Sequence, residues 1–380
     1  MWVAVGWLVA CTAPGVTSTP SPTREKAADL VRDEPTFATS DWKTDFSRHS
    51  APYSEIMSGG PPKDGIPAID RPEFVSVAMS ESWLENREPV VFYEFNGDAR
   101  AYPVQILIWH EIVNDVVGGK LVVITFCPLC HTAIAFEREL EGRLYDFGTT
   151  GKLRFSDLVM YDRQTESWWQ QATGEAIVGQ LTGKRLTFLP ASLISWAEFK
   201  AAHPRGQVLS KNTGHSRSYG RNPYVGYDDI DQPPFLYQGP ADGRLKPMER
   251  VVTVALGREA VAYPYSVLEK EKVIHDEVGG RGLVVLFKKG TASALDTEAI
   301  PQGRDVGATG VFDRVVDGRS LTFRWDGATF RDKETNTSWN LLGQGIEGPL
   351  QGKRLEPIIH GDHFWFAWAV FQLQTRVFSP

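Results

Sequence analysis

The sequence has few cysteines, no excess of basic residues and no long apolar run in its body. Only 3 cysteines occur among 380 residues, too few for a disulfide-stapled scaffold. Lysine and arginine number 40 against 47 aspartate and glutamate residues, so the chain lacks the basic field that attracts nucleic acid, and we expect no nucleic-acid partner. No stretch beyond the N-terminus reaches the roughly 18 apolar residues that predict a transmembrane helix.

The chain also lacks a Walker pattern, a nucleophile elbow and a Rossmann fingerprint, the usual sequence signatures of nucleotide-binding proteins and α/β hydrolases. It contains instead 35 glycines, 24 prolines and 12 tryptophans. This composition favours short strands joined by turns over a helical bundle.

Residues 1–11 form a short apolar run that ends at Cys11, and residues 8–11 resemble a bacterial lipobox. We therefore expect a lipoprotein-type signal segment over 1–11, with Cys11 acylated after cleavage, and a Thr/Pro/Ser-rich tether over 12–50. A buried N-terminal strand holding a free cysteine is the alternative. The expected protein is exported, periplasmic or extracytoplasmic, with a membrane as its partner through the lipid anchor.

An internal repeat divides the body of the chain. Residues 101–119 return as residues 262–280 with the same spacing of Ala-Tyr-Pro and Gly-Gly, and residues 162–165 return as 332–335. Self-similarity of this kind predicts a duplication. We expect a first repeat over 51–240, which carries a Cys-x-x-Cys loop, and a second, degenerate repeat over 241–380.

Local patterns predict the elements around that loop. Asn96-Gly97 predicts a hairpin turn between strands at 90–95 and 99–102. A helix is expected from Pro103 to the glycines at 118 and 119, followed by a buried strand at 121–126 that ends at the cysteines. Further amphipathic helices are expected over 191–202 and 362–371, with Asp362 as an N-cap. The predicted fold class is α+β, mainly antiparallel β, with two diverged tandem repeats packed together as a barrel or as sandwiches.

Five segments of the chain occur in an order typical of one known family. They are residues 65–70, 109–115, 126–130, 156–163 and 219–224. Together they resemble the DUF3179 family of exported bacterial and archaeal proteins, over about residues 60 to 375. The resemblance implies export and no particular activity, since the function of the family is unknown. In that family a small residue or asparagine often follows the second cysteine, whereas this chain has His131.

The sequence Cys127-Pro-Leu-Cys130-His131 is compatible with several kinds of site. It matches the c-type haem attachment pattern, but it follows a predicted buried strand, so we regard haem c as a minor alternative. Two thiolates separated by two residues can also chelate copper or zinc. Such a pair can alternatively carry out thiol-disulfide exchange. A structural disulfide without chemistry is the remaining alternative.

For a metal site the pair needs further ligands. The candidates are His110 from the preceding helix, His131 beside the pair, and either Met160 or Asp157. A thioether favours copper and a carboxylate favours zinc, and we place copper first. In the second repeat the positions of His110, Asp157 and Met160 hold other residue types, namely Glu271, Gly327 and Phe330. This joint loss favours a site assembled only in the first repeat, for redox chemistry or metal handling with a metal-donor partner.

A polar loop later in the first repeat suggests a different function. Arg217, Tyr219, Arg221 and Tyr224 would suit an anionic small molecule, and Trp168 would line a cleft nearby. The corresponding hypothesis is a non-catalytic ligand-binding module in which Cys127 and Cys130 form a disulfide staple. The sequence does not show whether the protein is an enzyme.

Overall fold

The computed structural model describes residues 1–2 and 33–380. The protein is mainly β, with 39% strand against 10% helix, so helices contribute less than an α+β assignment implies. Cys11 and residues 3–32 lie outside the described residues. Within the part that is described, no helix is long and apolar enough to cross a membrane.

The described elements before residue 210 are mostly short strands. In chain order they are a 3-10 turn Tyr53–Glu55, β1 Ile56–Ser58, β2 Phe74–Ser76, α1 Val77–Ser80, β3 Pro89–Phe95, β4 Asp98–Pro103, α2 Val104–His110, β5 Ile112–Val117, β6 Lys120–Cys127, β7 Thr132–Glu137, β8 Glu139–Leu140, β9 Arg143–Leu144, β10 Phe147–Arg154, β11 Asp157–Asp162, β12 Trp168–Gln170, β13 Glu175–Val178, β14 Phe188–Leu189, β15 Ser192–Ser195, α3 Trp196–Ala202 and β16 Gln207–Leu209.

The elements after residue 249 follow a similar course. They are β17 Arg250–Leu256, β18 Glu259–Pro264, α4 Tyr265–Glu271, β19 Val273–Val278, β20 Arg281–Lys288, a 3-10 turn Ile300–Gln302, β21 Ala308–Asp313, β22 Val315–Val316, β23 Arg319–Ser320, β24 Phe323–Trp325, β25 Phe330–Asp332, β26 Ser338–Trp339, β27 Gly345–Glu347, β28 His360–Phe364, α5 Trp365–Ala369 and β29 Arg376–Val377.

The strands form open, mainly antiparallel sheets. The large sheets of the first half have the orders β1-β10-β11-β12-β13, β14-β7-β6-β5 and β15-β3-β4-β16-β2, and those of the second half β24-β25-β26-β27, β19-β20-β21 and β28-β17-β18-β29. The parallel pairs are β16 on β4 and β29 on β18. The antiparallel prediction is confirmed, but no sheet in the described residues closes on itself, so the barrel alternative is wrong.

The two halves keep separate sheets and share their cores. Among the described strands, none from before residue 210 pairs with one from after residue 249. Apolar side chains nevertheless cross between the halves: Phe364 packs in the core of the first half, and Trp196 belongs to a cluster with Leu286 of the second half. Burial of these shared faces away from water holds the halves together.

The hairpin β3–β4 forms as predicted. Asn96 and Gly97 have φ values of 49° and 78°, the left-handed conformation that a two-residue turn between twisted strands requires. The helix predicted to run on to Gly118 is wrong beyond His110. Glu111, at φ 59°, ends α2, and the β-branched run that follows pairs with β6 as strand β5, since such side chains fit a pleated sheet better than a helix.

Two other predicted helices begin as strands. Residues 192–195 form β15 before α3, and residues 360–364 form β28 before α5. Asp362 is therefore not a helix cap. It lies within β28, is buried, and accepts a hydrogen bond from the Tyr265 hydroxyl.

Residues 33–50, which we expected within the tether, pack on the folded body instead. Phe37 stacks on Trp168 with ring centroids 5.3 Å apart, and Trp42 contacts the same ring edge-on at 4.9 Å. The Tyr53 hydroxyl donates to the Phe46 carbonyl at 2.6 Å. Aromatic contacts of this kind stabilise a fold beyond the burial of apolar surface area alone. This segment therefore covers one face of the sheet that contains β11 and β12.

A buried aspartate holds the β11–β12 turn and an equivalent aspartate holds β25–β26. Asp162 accepts from the Thr165 backbone N–H at 2.6 Å and from Trp169 Nε1 at 2.9 Å. Asp332 accepts from Thr335 and Trp339 at the same two distances. Each carboxylate thus satisfies donors that would otherwise be buried without a partner.

Replacing either aspartate by alanine should destabilise the fold strongly. Asp162→Ala and Asp332→Ala each leave two buried donors unpaired, and we expect each to lower the free energy of unfolding by about 2–5 kcal/mol. Asp41→Ala, at an exposed position, is the control and should change it by less than about 0.5 kcal/mol. Urea unfolding followed by circular dichroism measures these differences, and losses no larger than the control would contradict the assignment.

Candidate metal centre

The cysteines lie in the hairpin between β6 and β7. Cys127 is the last residue of β6 and pairs with Thr132 of β7, so the four residues between them turn the chain. The turn closes with His131, whose φ is 52° and whose N–H approaches the Pro128 carbonyl at 3.4 Å. This geometry brings both sulfurs to one end of the sheet, where Cys127 is 1% exposed and Cys130 is fully buried. Both are free thiols.

Asp157 completes a group of three potential ligands. Its Oδ1 lies 2.9 Å from Cys130 Sγ, and the ligand atoms of Cys127, Cys130 and Asp157 all lie within 4.8 Å of one another. The carboxylate is fixed from behind, because its Oδ2 accepts from the Ala172 backbone N–H at 2.9 Å and from Gln170 Nε2. Three buried ligand atoms so arranged could hold a metal ion.

Glu111 adds a fourth acidic group that sequence reasoning missed. Its side chain is 8% exposed, and among the described residues no hydrogen bond or ion pair engages its carboxyl group. Burial raises its pKa to about 8, with a further contribution from Asp157. The signal available in the sequence is its place beside His110 in the segment 109–115.

The electrostatics of the centre are one-sided. Burial raises the pKa of Asp157 to about 6 and raises the pKa of both thiols, that of Cys130 most strongly, with Asp157 adding to each. Glu111 raises the pKa of Cys127 further. Among the described residues no lysine or arginine makes an ion pair with either carboxyl group. Four buried acids therefore interact unfavourably without an ion pair from the described residues, which is costly unless they stay protonated or bind a cation.

The structure separates His110 from the cysteines. Its Nδ1 lies 2.7 Å from the Pro67 carbonyl and its Nε2 lies 2.6 Å from the Tyr219 hydroxyl, so both ring nitrogens are engaged. Burial lowers its pKa to about 4. His110 is not part of the three-residue group, which corrects its expected role as a ligand.

Met160 lies on the opposite face of β11 from Asp157, within the core cluster that also contains the cysteines. Successive side chains of a strand point to opposite faces, and three positions separate Asp157 from Met160 on β11. Met160 pairs with Trp169 and is completely buried in the core. Of the two alternatives for this segment, the structure brings Asp157 to the thiols.

His131 points toward the second half of the chain. Its ring packs against Phe126 and Phe364, with centroids 5.9 and 5.3 Å away, and burial together with Arg250 lowers its pKa well below the usual value. It is not part of the three-residue group. The position expected for haem attachment is thus a buried β-hairpin whose histidine lies among phenylalanines.

The second half supports the hairpin without carrying a comparable group itself. The Phe364 N–H donates to the Cys130 carbonyl at 3.0 Å, and Thr132 Oγ1 lies 2.8 Å from His363 Nδ1. The counterparts of His110 and Asp157, which are Glu271 and Gly327, are both exposed. Within the described residues, the group of thiols and carboxylate occurs once.

The residues expected to form a ligand-binding loop do not line a common pocket. Arg217 and Arg221 are exposed, and Arg221 pairs with Glu298. Tyr219 bonds to His110, while Trp168 is buried beneath residues 37–46. Only Tyr224 approaches the thiols: burial raises its pKa, and Glu111 and Cys127 raise it further.

A groove of about 740 Å³ lies over the hairpin. Leu129, between the two cysteines, forms part of its wall together with Tyr224 and Tyr227. The Tyr227 hydroxyl donates to the Leu129 carbonyl at 2.7 Å. The tyrosines therefore lie between this groove and the thiols.

Glu111 predicts a pH dependence of stability. Between its ordinary pKa of 4.5 and its value of about 8 in the folded chain, folding takes up a proton, so its contribution to the free energy of unfolding falls as pH rises through this window. In chelator-treated protein, Glu111→Gln should therefore gain about 4 kcal/mol over the wild type between pH 5 and pH 8.5. Urea unfolding at both pH values measures this gain.

The control is Glu277→Gln, at an exposed position, which should show the same difference from the wild type at both pH values. A Glu111→Gln difference that is equally independent of pH would contradict the burial and the charge assigned to Glu111.

Comparison with known proteins gives a family and nothing further. No curated protein and no solved structure matches the chain. One family model, described as a protein of unknown function, matches residues 63–375, a range that contains the hairpin, Asp157, Glu111 and both halves. The chain therefore belongs to the DUF3179 family.

Proposed function

We propose that this chain is an extracytoplasmic, lipid-anchored metal-binding protein whose ion is held by Cys127, Cys130 and Asp157. One observation carries the proposal: the ligand atoms of two buried thiols and one buried carboxyl group lie within 4.8 Å of one another, and no lysine or arginine of the described residues makes an ion pair with that carboxyl group. A divalent ion replaces the protons of its ligands, so it relieves the repulsion among these groups.

The spacing of the ligand atoms suits a small ion. In a tetrahedral zinc site, bonds of about 2.3 Å to sulfur place two thiolates roughly 3.8 Å apart. The three ligand atoms already lie within 4.8 Å of one another, so an ion needs to draw them together by no more than about an ångström. The hydrogen bonds from Ala172 and Gln170 engage Oδ2 of Asp157. Its other oxygen, Oδ1, contacts the Cys130 thiol and could bind a metal ion instead.

The donor set favours zinc over copper. Two thiolates and a carboxylate are ligands that zinc accepts, whereas the thioether that pointed to copper lies on the other face of β11. Three protein ligands leave one position of a tetrahedron open, which is the arrangement of catalytic zinc sites. Glu111 interacts electrostatically with Asp157 and with Tyr224, and the side chains of Glu111 and Tyr224 would be the ones to orient a bound water or a small ligand.

We also infer that the two halves arose by duplication. The sheet orders β15-β3-β4-β16 and β28-β17-β18-β29 correspond strand for strand, and Asp162 and Asp332 make the same hydrogen bonds in equivalent turns. On this view one copy kept the metal ligands, while the other became the support for the hairpin.

Elemental analysis and thiol titration of protein purified from its native compartment test the metal site. We expect about one zinc per chain with both thiols reduced and metal-bound. Asp157→Asn, which keeps the shape of the side chain, should weaken zinc binding at least tenfold, and Cys130→Ser should do so more strongly. Met160→Leu on the same strand is the matched control and should retain zinc.

Absence of metal together with a formed Cys127–Cys130 disulfide would contradict the proposal and support the alternative, a ligand-binding module with a disulfide staple. Because a cysteine variant can fail to fold, thermal unfolding accompanies each measurement. Zinc at 100 times its dissociation constant should stabilise the wild type by about 2.7 kcal/mol and should have little effect on Asp157→Asn.

The proposed anchor makes a separate prediction. The wild-type chain should partition with membranes, and Cys11→Ser should release it, because a thiol at this position is the only proposed site of acylation. Cys127→Ser is the control and should stay with the membrane fraction. Membrane association of Cys11→Ser equal to that of the wild type would contradict lipidation at Cys11.

A further inference from the structure

A second cavity lies between the two halves, separate from the thiols. Its volume is about 510 Å³, within the range of small-molecule sites. Ile134 and Phe188 line it from the first half, and Leu256, Ile358 and Trp368 line it from the second. Ala172, whose N–H holds Asp157, contributes to the wall, so the cavity lies behind the metal centre, on the other side of this turn.

The charged groups at the cavity are already paired. Arg185 lies 2.5 Å from Glu175, and Arg281 lies 2.7 Å from Asp313 and 3.0 Å from Glu356. Among the described residues that line the cavity, these pairs leave no unpaired charged side chain to attract an ion. The chemistry of the wall therefore favours a neutral and mainly apolar occupant.

His360 gives the wall one hydrogen-bond acceptor without a donor. Its Nδ1 lies 2.7 Å from the Ile358 carbonyl, and since a carbonyl can only accept, the proton is on Nδ1 and Nε2 carries a lone pair. The side chain is 8% exposed and Nε2 is buried with no partner in the described residues. An acceptor buried in this way costs about 1–3 kcal/mol.

The neighbouring imidazole is held in place by other groups. His363 Nδ1 bonds to Thr132, and its ring lies against Trp368 with centroids 5.2 Å apart. Gly361 allows this packing, because a side chain there would collide with the His363 ring. His363 is thus held through Nδ1 and its ring face, and of the two imidazoles it is His360 whose Nε2 is buried without a partner in the described residues.

We propose that this cavity binds a small, neutral, mainly apolar molecule that donates one hydroxyl or N–H hydrogen bond to His360 Nε2. The apolar surfaces from both halves enclose the body of the ligand, and the imidazole fixes its polar end. The site is independent of the metal centre, since none of the three proposed metal ligands lines it.

Phenol and its analogues without a donor test this assignment. Toluene has a similar shape and lacks the hydroxyl, while anisole keeps the oxygen and lacks the proton. By calorimetry or histidine NMR on the intact chain, phenol should bind about fivefold more tightly than either analogue, the effect of one hydrogen bond to a buried neutral group.

Two variants assign the effect to this cavity. His360→Phe keeps the ring and removes the acceptor, so it should bind toluene and lose the preference for phenol. Ala255→Trp, at an exposed position on the rim, should weaken binding of all three probes. Equal binding of phenol and anisole by the wild type would overturn the proposal without any variant, as would failure to bind phenol or a phenol preference that survives in His360→Phe.

Discussion

The burial of four acidic groups in one place is the constraint on which the rest of this structure depends. The two thiols lie at one end of the β14-β7-β6-β5 sheet, within 4.8 Å of Asp157 at the start of β11. Glu111 interacts electrostatically with Asp157 and Cys127, and no lysine or arginine of the described residues is paired with either carboxyl group. Desolvation makes such a cluster expensive when it is charged. The folded protein must therefore keep these groups protonated or replace their protons with a bound cation. The 2.9 Å contact between Cys130 Sγ and Asp157 Oδ1 is compatible with the protonated and with the metal-bound state.

The second half of the chain is part of this arrangement although it holds none of the ligands. Two residues of its strand β28 reach the hairpin. The Phe364 N–H donates a hydrogen bond to the Cys130 carbonyl, and the His363 ring is hydrogen-bonded to the Thr132 hydroxyl. These two contacts hold Cys130 and Thr132, the residues on either side of His131, in place. Rigid backing of this kind positions metal ligands more accurately than a free loop does, and the cores shared by the two halves make the backing rigid.

Much of the local structure could be predicted from the sequence, while the composition of the site could be predicted only in part. Asn96-Gly97 required its hairpin, and the apolar run at 121–126 required a buried strand ending at the cysteines. The error lay at His110 and Glu111, because adjacent residues at a helix end point in different directions and a positive φ at Glu111 turns the chain. No periodicity shows which of the two faces the thiols. Likewise, Asp157 rather than Met160 contacts a thiol because β11 begins at Asp157, and the sequence pattern does not show where this strand begins.

The central claim is that Cys127, Cys130 and Asp157 bind one metal ion in the folded protein. X-ray absorption at the zinc edge of the isolated protein tests it most directly, because it measures the atoms bound to the ion. The account predicts two sulfur neighbours at about 2.3 Å and lighter oxygen neighbours at about 2.0 Å. A shell of nitrogen and oxygen without sulfur would contradict it.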